Sequence, residues 1–118
     1  MSDHRRDPRI PIRQRIWCED DHLTLYVQAL NVSTRGLFVR TANPPLPGQH
    51  LRVSFRDLPE GEVVAQVEVV WARQVAGEPL SGMGLHITAF EKGAANFERF
   101  LARQERASRA VGATDTEN

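Results

Sequence analysis

Six short β-prone runs, separated by turn-forming segments, constrain the fold of this chain more than any other feature. In most of them apolar and polar residues alternate, which is typical of strands that bury one face. Prolines, glycines and acidic residues between the runs mark turns. The predicted strands cover residues 10–18, 23–29, 37–41, 50–56, 63–71 and 83–89. We expect the first two strands to form a hairpin.

The alternation also predicts which side chains point inward. The inward row of the second strand should include Leu23, that of the fifth strand should extend to Trp71, and that of the sixth should include Ala89. Trp17 and Tyr26 should point outward, because they fall on the polar side of their runs.

A helix should follow the strands. From about Lys92 the apolar residues recur at intervals of three and four, which is typical of an amphipathic helix. Glu105 and Arg109 are spaced to pair, and Gly112 is a plausible stop. The apolar positions are Ala94, Phe97, Phe100 and Leu101. The sequence therefore predicts an all-β fold, a small six-stranded antiparallel β-barrel with a C-terminal α-helix packed on it.

The length and composition favour one domain. The chain has 118 residues, of which 41% are hydrophobic, and this suffices for one modest core. Residues 1–9 lack apolar periodicity and should form a flexible arm, whereas residues 10–110 should form the barrel and its helix. Residues 111–118 are expected to be a disordered tail.

The charge balance excludes a diffuse basic surface. Fifteen basic and fifteen acidic residues give a formal net charge of zero, which argues against nucleic acid as a partner. No apolar run approaches the roughly 18 residues of a membrane span, so no membrane insertion is expected. The charged N-terminus and the single cysteine, Cys18, favour a cytoplasmic location.

No arrangement of residues indicates catalysis or a metal. Cys18 falls on the inward face of the first strand, where a cysteine is usually a small buried hydrophobe. The histidines lie on different predicted elements without metal-ligand spacing; they are His4, His22, His50 and His86. We therefore expect no catalytic residues, no metal and no cofactor.

Two polar elements remain to carry a function. The arm holds Arg5, Arg6 and Arg9, whose guanidinium groups can grip phosphate or the edge of a guanine, or stack on a base. The period of two slips at Leu30-Asn31-Val32, and a polar turn follows. Asn31 and Ser33 offer an amide and a hydroxyl, and Gly36 permits a close backbone approach or a positive φ. The residues alone suggest a small anionic ligand with hydrogen-bonding bases.

These elements strongly resemble the bacterial PilZ domain over roughly residues 4–104. The family pattern is Arg-x-x-x-Arg followed, after the second strand, by Asp/Asn-x-Ser-x-x-Gly. The matches are Arg5 and Arg9, Asn31, Ser33 and Gly36, with support from Gly36-Leu37-Phe38-Val39, Pro47-Gly48, Val69-Val70-Trp71 and Gly82-Met83-Gly84-Leu85.

The resemblance implies a six-stranded β-barrel that binds the second messenger cyclic di-GMP as a receptor and is not an enzyme. Arg5 and Arg9 would hold phosphates and guanine edges, and Arg6 would add a cationic or stacking contact. Asn31, Ser33 and Gly36 would bind guanine. Asn31 stands where many members have Asp, and a neutral amide is the weaker acceptor. One ligand molecule or a stacked pair would both fit the pattern.

We therefore expect a stand-alone cyclic di-GMP receptor whose arm orders on the ligand and which signals through an unidentified effector protein. The alternative is an adaptor that binds a partner protein regardless of nucleotide, for which the outward Trp17 and Tyr26 give some support. Single-stranded nucleic-acid binding is disfavoured by the neutral charge and the few aromatic residues.

Overall fold

The computed structural model describes residues 8–42, 44–73 and 81–117, with side chains as far as Ala110. Within these ranges the chain forms six strands followed by one α-helix. The elements are β1 (Ile10–Glu19), β2 (Thr24–Val32), β3 (Gly36–Arg40), β4 (His50–Phe55), β5 (Val63–Arg73), β6 (Gly82–Lys92) and α1 (Ala94–Glu117). The antiparallel six-stranded sheet and the C-terminal helix expected from the sequence are confirmed.

The strand order is β1-β2-β3-β6-β5-β4, and all neighbours are antiparallel. β4 also pairs with β1 through Trp17, Cys18 and Glu19, so the order of strands closes on itself. The predicted β1–β2 hairpin is present, and Asp20 builds its turn. The Asp20 carboxylate accepts hydrogen bonds from the backbone N–H groups of His22 and Leu23, both at 2.8 Å.

The core lies inside the curved sheet and is covered by α1. Alternate residues of each strand are buried, as the period of two predicts. On the helix Phe97 and Phe100 are buried, and both rings contact Phe55, with centroids 5.9 and 5.7 Å apart. Each such ring contributes about 1.5–3 kcal/mol by burial. An ion pair between Arg103 and Glu60 fastens the helix further along and lowers the pKa of that carboxyl.

Three residues expected to point inward are exposed instead. β5 shifts register against β6 between Val69 and Trp71, and the extra residue turns the indole outward. A second shift at Gln66/Val67 leaves Ala89 on the outer surface. Leu23 precedes the first residue of β2 and is 47% exposed. The outward positions of Trp17 and Tyr26 are as predicted.

The helix does not end at Gly112, and the expected tail at 111–118 is corrected accordingly. α1 runs through Gly112 to Glu117. A single glycine costs a helix interior only about 1 kcal/mol, and no proline follows it in this chain. The expected pair of Glu105 and Arg109 forms, with a separation of 3.6 Å.

Candidate functional site

Asn31 is placed by an irregularity in β2. The register of β2 against β3 shifts between Ala29 and Asn31, at the point where the sequence pattern slips. Beyond the shift Asn31 lies opposite Phe38 on the outer face of the sheet, while Val32 returns to the core. The bulge therefore presents an amide side chain to solvent beside an aromatic ring.

Ser33 belongs to the turn that follows. It is only 2% exposed, and its backbone N–H donates to the carbonyl oxygen of Gly36 at 2.8 Å. Its hydroxyl accepts a hydrogen bond from the backbone N–H of Arg35 at 3.3 Å. The N–H of Ile87 then donates to the carbonyl oxygen of Arg35, which joins the turn to β6. Ser33 thus helps to fix the turn that carries Asn31.

Gly36 is required by a close approach between two strands. Its φ is not among the positive values found in the described residues. A methyl group at Gly36 would overlap the carbonyl oxygen of Leu85 on β6. Any other residue would therefore push β3 away from β6, so the glycine sets the distance between these strands.

Arg9 reaches Asn31 from the segment before β1. The Nη1 atom of Arg9 donates a hydrogen bond of 2.9 Å to the Oδ1 atom of Asn31. Both side chains are accessible to solvent. The pair brings a cation and an amide to one point on the surface, although the two residues are 22 positions apart in the chain.

Two aromatic rings lie beside this pair. The rings of Phe38 and Trp71 are stacked, with centroids 5.3 Å apart and planes at 14°. Phe38 pairs with Gly84 on one side of β6, and Trp71 pairs with Gly84 on the other. A methyl group at Gly84 would overlap the indole, and one at Gly82 would lie 2.8 Å from the Phe38 ring. The glycines of β6 therefore let the two rings close over that strand.

Together these groups line an open cleft of about 280 Å³. Its lining residues are Arg9, Asn31, Phe38, Trp71 and Arg73. Two guanidinium groups, one amide and two rings meet there, with no carboxylate among them. The indole is 43% exposed, so one ring face is available to a ligand. This set of groups suits a ligand that combines negative charge, flat rings and hydrogen-bonding edges.

The predicted site residues divide into three groups. Arg5 and Arg6 lie outside the described residues. Arg9 and Asn31 are brought together at the cleft. Ser33 and Gly36 are buried in the neighbouring turn, and neither lines the cleft in this conformation.

Sequence reasoning missed three residues of the cleft, namely Phe38, Trp71 and Arg73. Trp71 was expected in the core, and the other two carried no signal of their own. The paired glycines of Gly82-Met83-Gly84 are the signal that could have found them, because glycine in a strand interior often marks a close approach.

Other groups in the described part of the chain offer no competing site. Cys18 is buried, and burial raises the pKa of its thiol to about 12, so it remains protonated at neutral pH. Over the described ranges, no three His, Cys, Asp or Glu residues are grouped to hold a metal. Within the same ranges no helix is both long and apolar enough to cross a bilayer.

Comparison with known proteins agrees with the fold. The family model of the PilZ domain matches residues 3–103. The chain is similar to the Bacillus subtilis inhibitor of motility MotI/DgrA, with a TM-score of 0.68 and 17% identity, over 87% of this chain and 52% of that one. It thus spans about half the length of that protein.

A second solved structure is the PilZ domain with c-di-GMP of YcgR from Escherichia coli. The TM-score is 0.61 and the identity 17%, over 93% of this chain and 98% of that one. At these identities the likeness concerns the fold alone. No curated protein matches the sequence.

Proposed function

Because the chain belongs to the PilZ domain family, we propose that it is a receptor for cyclic di-GMP that binds the ligand at the cleft of Arg9 and Asn31. The observation that carries the proposal is the Arg9–Asn31 hydrogen bond beside the Phe38–Trp71 stack. A ligand with two phosphates and two guanines needs cations, a polar edge and flat ring surfaces, and the cleft offers all three. PilZ domains are binding domains, so the proposed role is recognition and not catalysis.

Each group has a distinct part in the proposed complex. The guanidinium of Arg9 donates to a phosphate oxygen or to the O6 and N7 atoms of a guanine. The amide oxygen of Asn31 accepts from a guanine N–H group. The exposed face of Trp71 stacks on a base, and Arg73 adds positive charge at the rim of the cleft.

The arm completes the site in this proposal. Arg5 and Arg6 precede Pro8, the first described residue, by two or three positions. An extended chain spans at most about 3.3–3.6 Å per residue, so Arg5 can reach roughly 10 Å from Pro8. That reach is enough to bring both guanidinium groups to a ligand seated beside Arg9. Ordering the arm costs conformational entropy, which the contacts to phosphate offset.

Ser33 and Gly36 have a supporting part in the same proposal. Since both are buried in the turn, we infer that they act first by holding Asn31 in place. A direct contact of either residue with guanine remains a prediction from the family pattern.

Titration calorimetry tests the proposal with cyclic di-GMP, GTP and cyclic di-AMP in parallel. We expect heat with cyclic di-GMP and much weaker binding of the other two. Arg9→Ala removes a charged hydrogen bond of about 1.5–3 kcal/mol, which weakens binding by about 10- to 150-fold. Arg106→Ala, at an exposed helical arginine outside the cleft, is the matched control and should bind as the unaltered chain does. Equal heat with all three nucleotides, or none with the first, refutes the proposal.

Ordering of the arm has its own readout. Trypsin cleaves after arginine, so cutting at Arg5 and Arg6 followed by mass spectrometry reports on the access of these bonds. We expect cyclic di-GMP to slow both cuts, while GTP leaves them unchanged. Equal rates with and without cyclic di-GMP, at saturation shown by calorimetry, would remove the arm from the mechanism.

The second candidate is an adaptor that binds a partner protein without nucleotide. The observation in its favour is a ladder of side chains on the outer face of the β1–β2 hairpin. Arg56 lies over the Trp17 ring at 4.8 Å, the Trp17 and Tyr26 centroids are 4.5 Å apart, and Arg15 lies over Tyr26 at 5.4 Å. A partner captured equally with and without cyclic di-GMP, and equally by Arg9→Ala, would favour this reading.

A further inference from the structure

The outer edge of β2 is left open over its first half. β3 pairs with β2 only from Gln28 to Val32. From Thr24 to Val27 the described chain places β1 on one side of β2 and no strand on the other. After Arg40 the chain leaves β2, and Thr41 donates its backbone N–H to the carbonyl oxygen of Ser81 instead.

The direction of the free backbone groups follows from the hairpin. The N–H of Asp20 donates to the carbonyl oxygen of Leu23, so these two residues form a hydrogen-bonded pair across β1 and β2. Hydrogen-bonded and non-hydrogen-bonded pairs alternate in an antiparallel ladder. Thr24 and Tyr26 therefore turn their N–H and C=O groups away from β1. Gln28 is next in this series, and it is where β3 begins to pair.

This edge lacks the devices that usually protect a sheet edge. Its sequence is Thr24-Leu25-Tyr26-Val27, which is β-prone and contains no charge and no proline. Leu23 and Tyr26 are 47% and 46% exposed. Beside the edge lies an open groove of about 580 Å³, lined by Arg15, Leu23, Leu25, Tyr26, Val27, Gln28, Arg40, Thr41 and Ala42. An unprotected edge of this kind is a ready template for another strand.

The charges at the two ends of the edge are opposite. The acidic turn Glu19-Asp20-Asp21 lies at the start of β2. Arg40, which pairs with Gln28, lies at the other end, and Arg15 projects into the same groove. No carboxylate lines the groove among the described residues. An antiparallel copy of the same edge would set acid against base at both ends, as a two-fold interface requires.

We propose that a second copy of this chain pairs antiparallel with β2, with the two-fold axis passing through Leu25. In this register Thr24 forms a hydrogen-bonded pair with Tyr26 of the second copy, and the reciprocal pair forms equally. Leu25 meets its own counterpart, and Leu23 meets Val27 of the second copy, which covers the exposed leucine. The acidic turn enters the groove beside Arg40 of the second copy.

Other registers satisfy fewer groups. If the axis passed through Tyr26, the free groups of Thr24 would face Gln28 of the second copy, whose outer side is already paired with Arg40. A one-residue slip would place inward side chains opposite outward ones. The register at Leu25 alone uses the free groups of both Thr24 and Tyr26.

The proposed interface is separate from the ligand cleft. The edge lies near the Glu19–Thr24 end of the β1–β2 hairpin, whereas Arg9 and Asn31 lie near the Ile10–Val32 end. Dimer formation and cyclic di-GMP binding can therefore be tested separately.

Site-directed cross-linking tests the register. A non-hydrogen-bonded pair places Cα atoms about 4.5 Å apart, within the range of a disulfide. We expect Leu25→Cys to form a covalent dimer on mild oxidation. Thr24→Cys is the matched control, because its counterpart is offset by two residues and the disulfide should form poorly. Cys18 is buried and should stay unreactive in both variants. Equal cross-linking of the two variants overturns the register.

Sedimentation equilibrium over a range of concentrations tests the dimer itself. Thr24→Pro removes an edge donor without removing a bond to β1, so the fold should persist by circular dichroism while dimerisation weakens by about tenfold or more. Asp21→Arg should also weaken it, and adding Arg40→Asp to that variant should restore it.

A chain that remains monomeric at all concentrations overturns the proposal and leaves the edge to another protein or to a different part of this chain. A dimer that persists in Thr24→Pro and does not cross-link at Leu25 uses another face, and also overturns it.

Discussion

Trp71→Ala separates the ligand role of the indole from its structural role. In the free protein this change removes the stack on Phe38, which contributes about 0.5–1.5 kcal/mol to stability. The ring is 43% exposed, so little core is lost and the domain should stay folded. In the complex a base stacked on an aromatic ring is worth about 1–3 kcal/mol, so the affinity for cyclic di-GMP should fall by roughly 5- to 150-fold. Trp71→Phe keeps a ring and should lose much less.

Fluorescence makes the assay direct. The chain has two tryptophans, Trp17 and Trp71. Trp17→Phe leaves the cleft residue as the only indole, so a change of emission on titration reports on the site itself. Calorimetry of the same variants supplies the affinity, and urea unfolding supplies the stability. If Trp71→Ala binds within about twofold of its parent and the emission of Trp71 is unchanged by ligand, the indole does not contact a base.

Three further outcomes follow from the geometry. Asn31→Asp replaces a neutral acceptor with a charged one and should tighten cyclic di-GMP binding by about fivefold in calorimetry, since it adds about 1 kcal/mol; unchanged or weaker binding would contradict a guanine contact at this position. Gly36→Ala should destabilise the domain by about 1–3 kcal/mol in urea unfolding, because its methyl group overlaps a backbone oxygen of β6. Cys18 should not react with a thiol reagent at pH 8 until the chain is unfolded, because burial raises its pKa to about 12; rapid labelling of the folded protein would show that the thiol is accessible.

The strand pattern and the polar pair of the site could be predicted from the sequence. Alternation identifies inward faces wherever pairing is regular, as in β1, where Ile16 and Cys18 are buried and Trp17 points outward. Arg9 and Asn31 stood out because charged and amide side chains interrupt an apolar pattern. Their contact could be inferred from the motif, although the distance could not.

The two bulges that shape the site differ in how visible they are in the sequence. At Leu30 the slip shows, because the polar Asn31 follows where a continued alternation would place an inward residue. Near Val70 the residues on both sides of the shift are apolar, so a strand with the bulge and one without it look the same. The reversal of Trp71 depends on its pairing with β6, and local sequence does not specify such long-range register. The aromatic half of the cleft was therefore missed for a physical reason.

Gly84→Ala tests that reasoning, because the glycine is what gives the outward indole its space. An added methyl group would lie 2.7 Å from the Cδ1 atom of Trp71 and overlap the rest of the ring. The indole is exposed and can swing away, so the sheet should persist while affinity for cyclic di-GMP falls to the level of Trp71→Ala. In the Trp71→Ala background the methyl group meets no ring, and Gly84→Ala should then change affinity by less than about twofold, a non-additive result expected for residues in contact. If the two losses add instead, Gly84 acts on binding by a route other than Trp71.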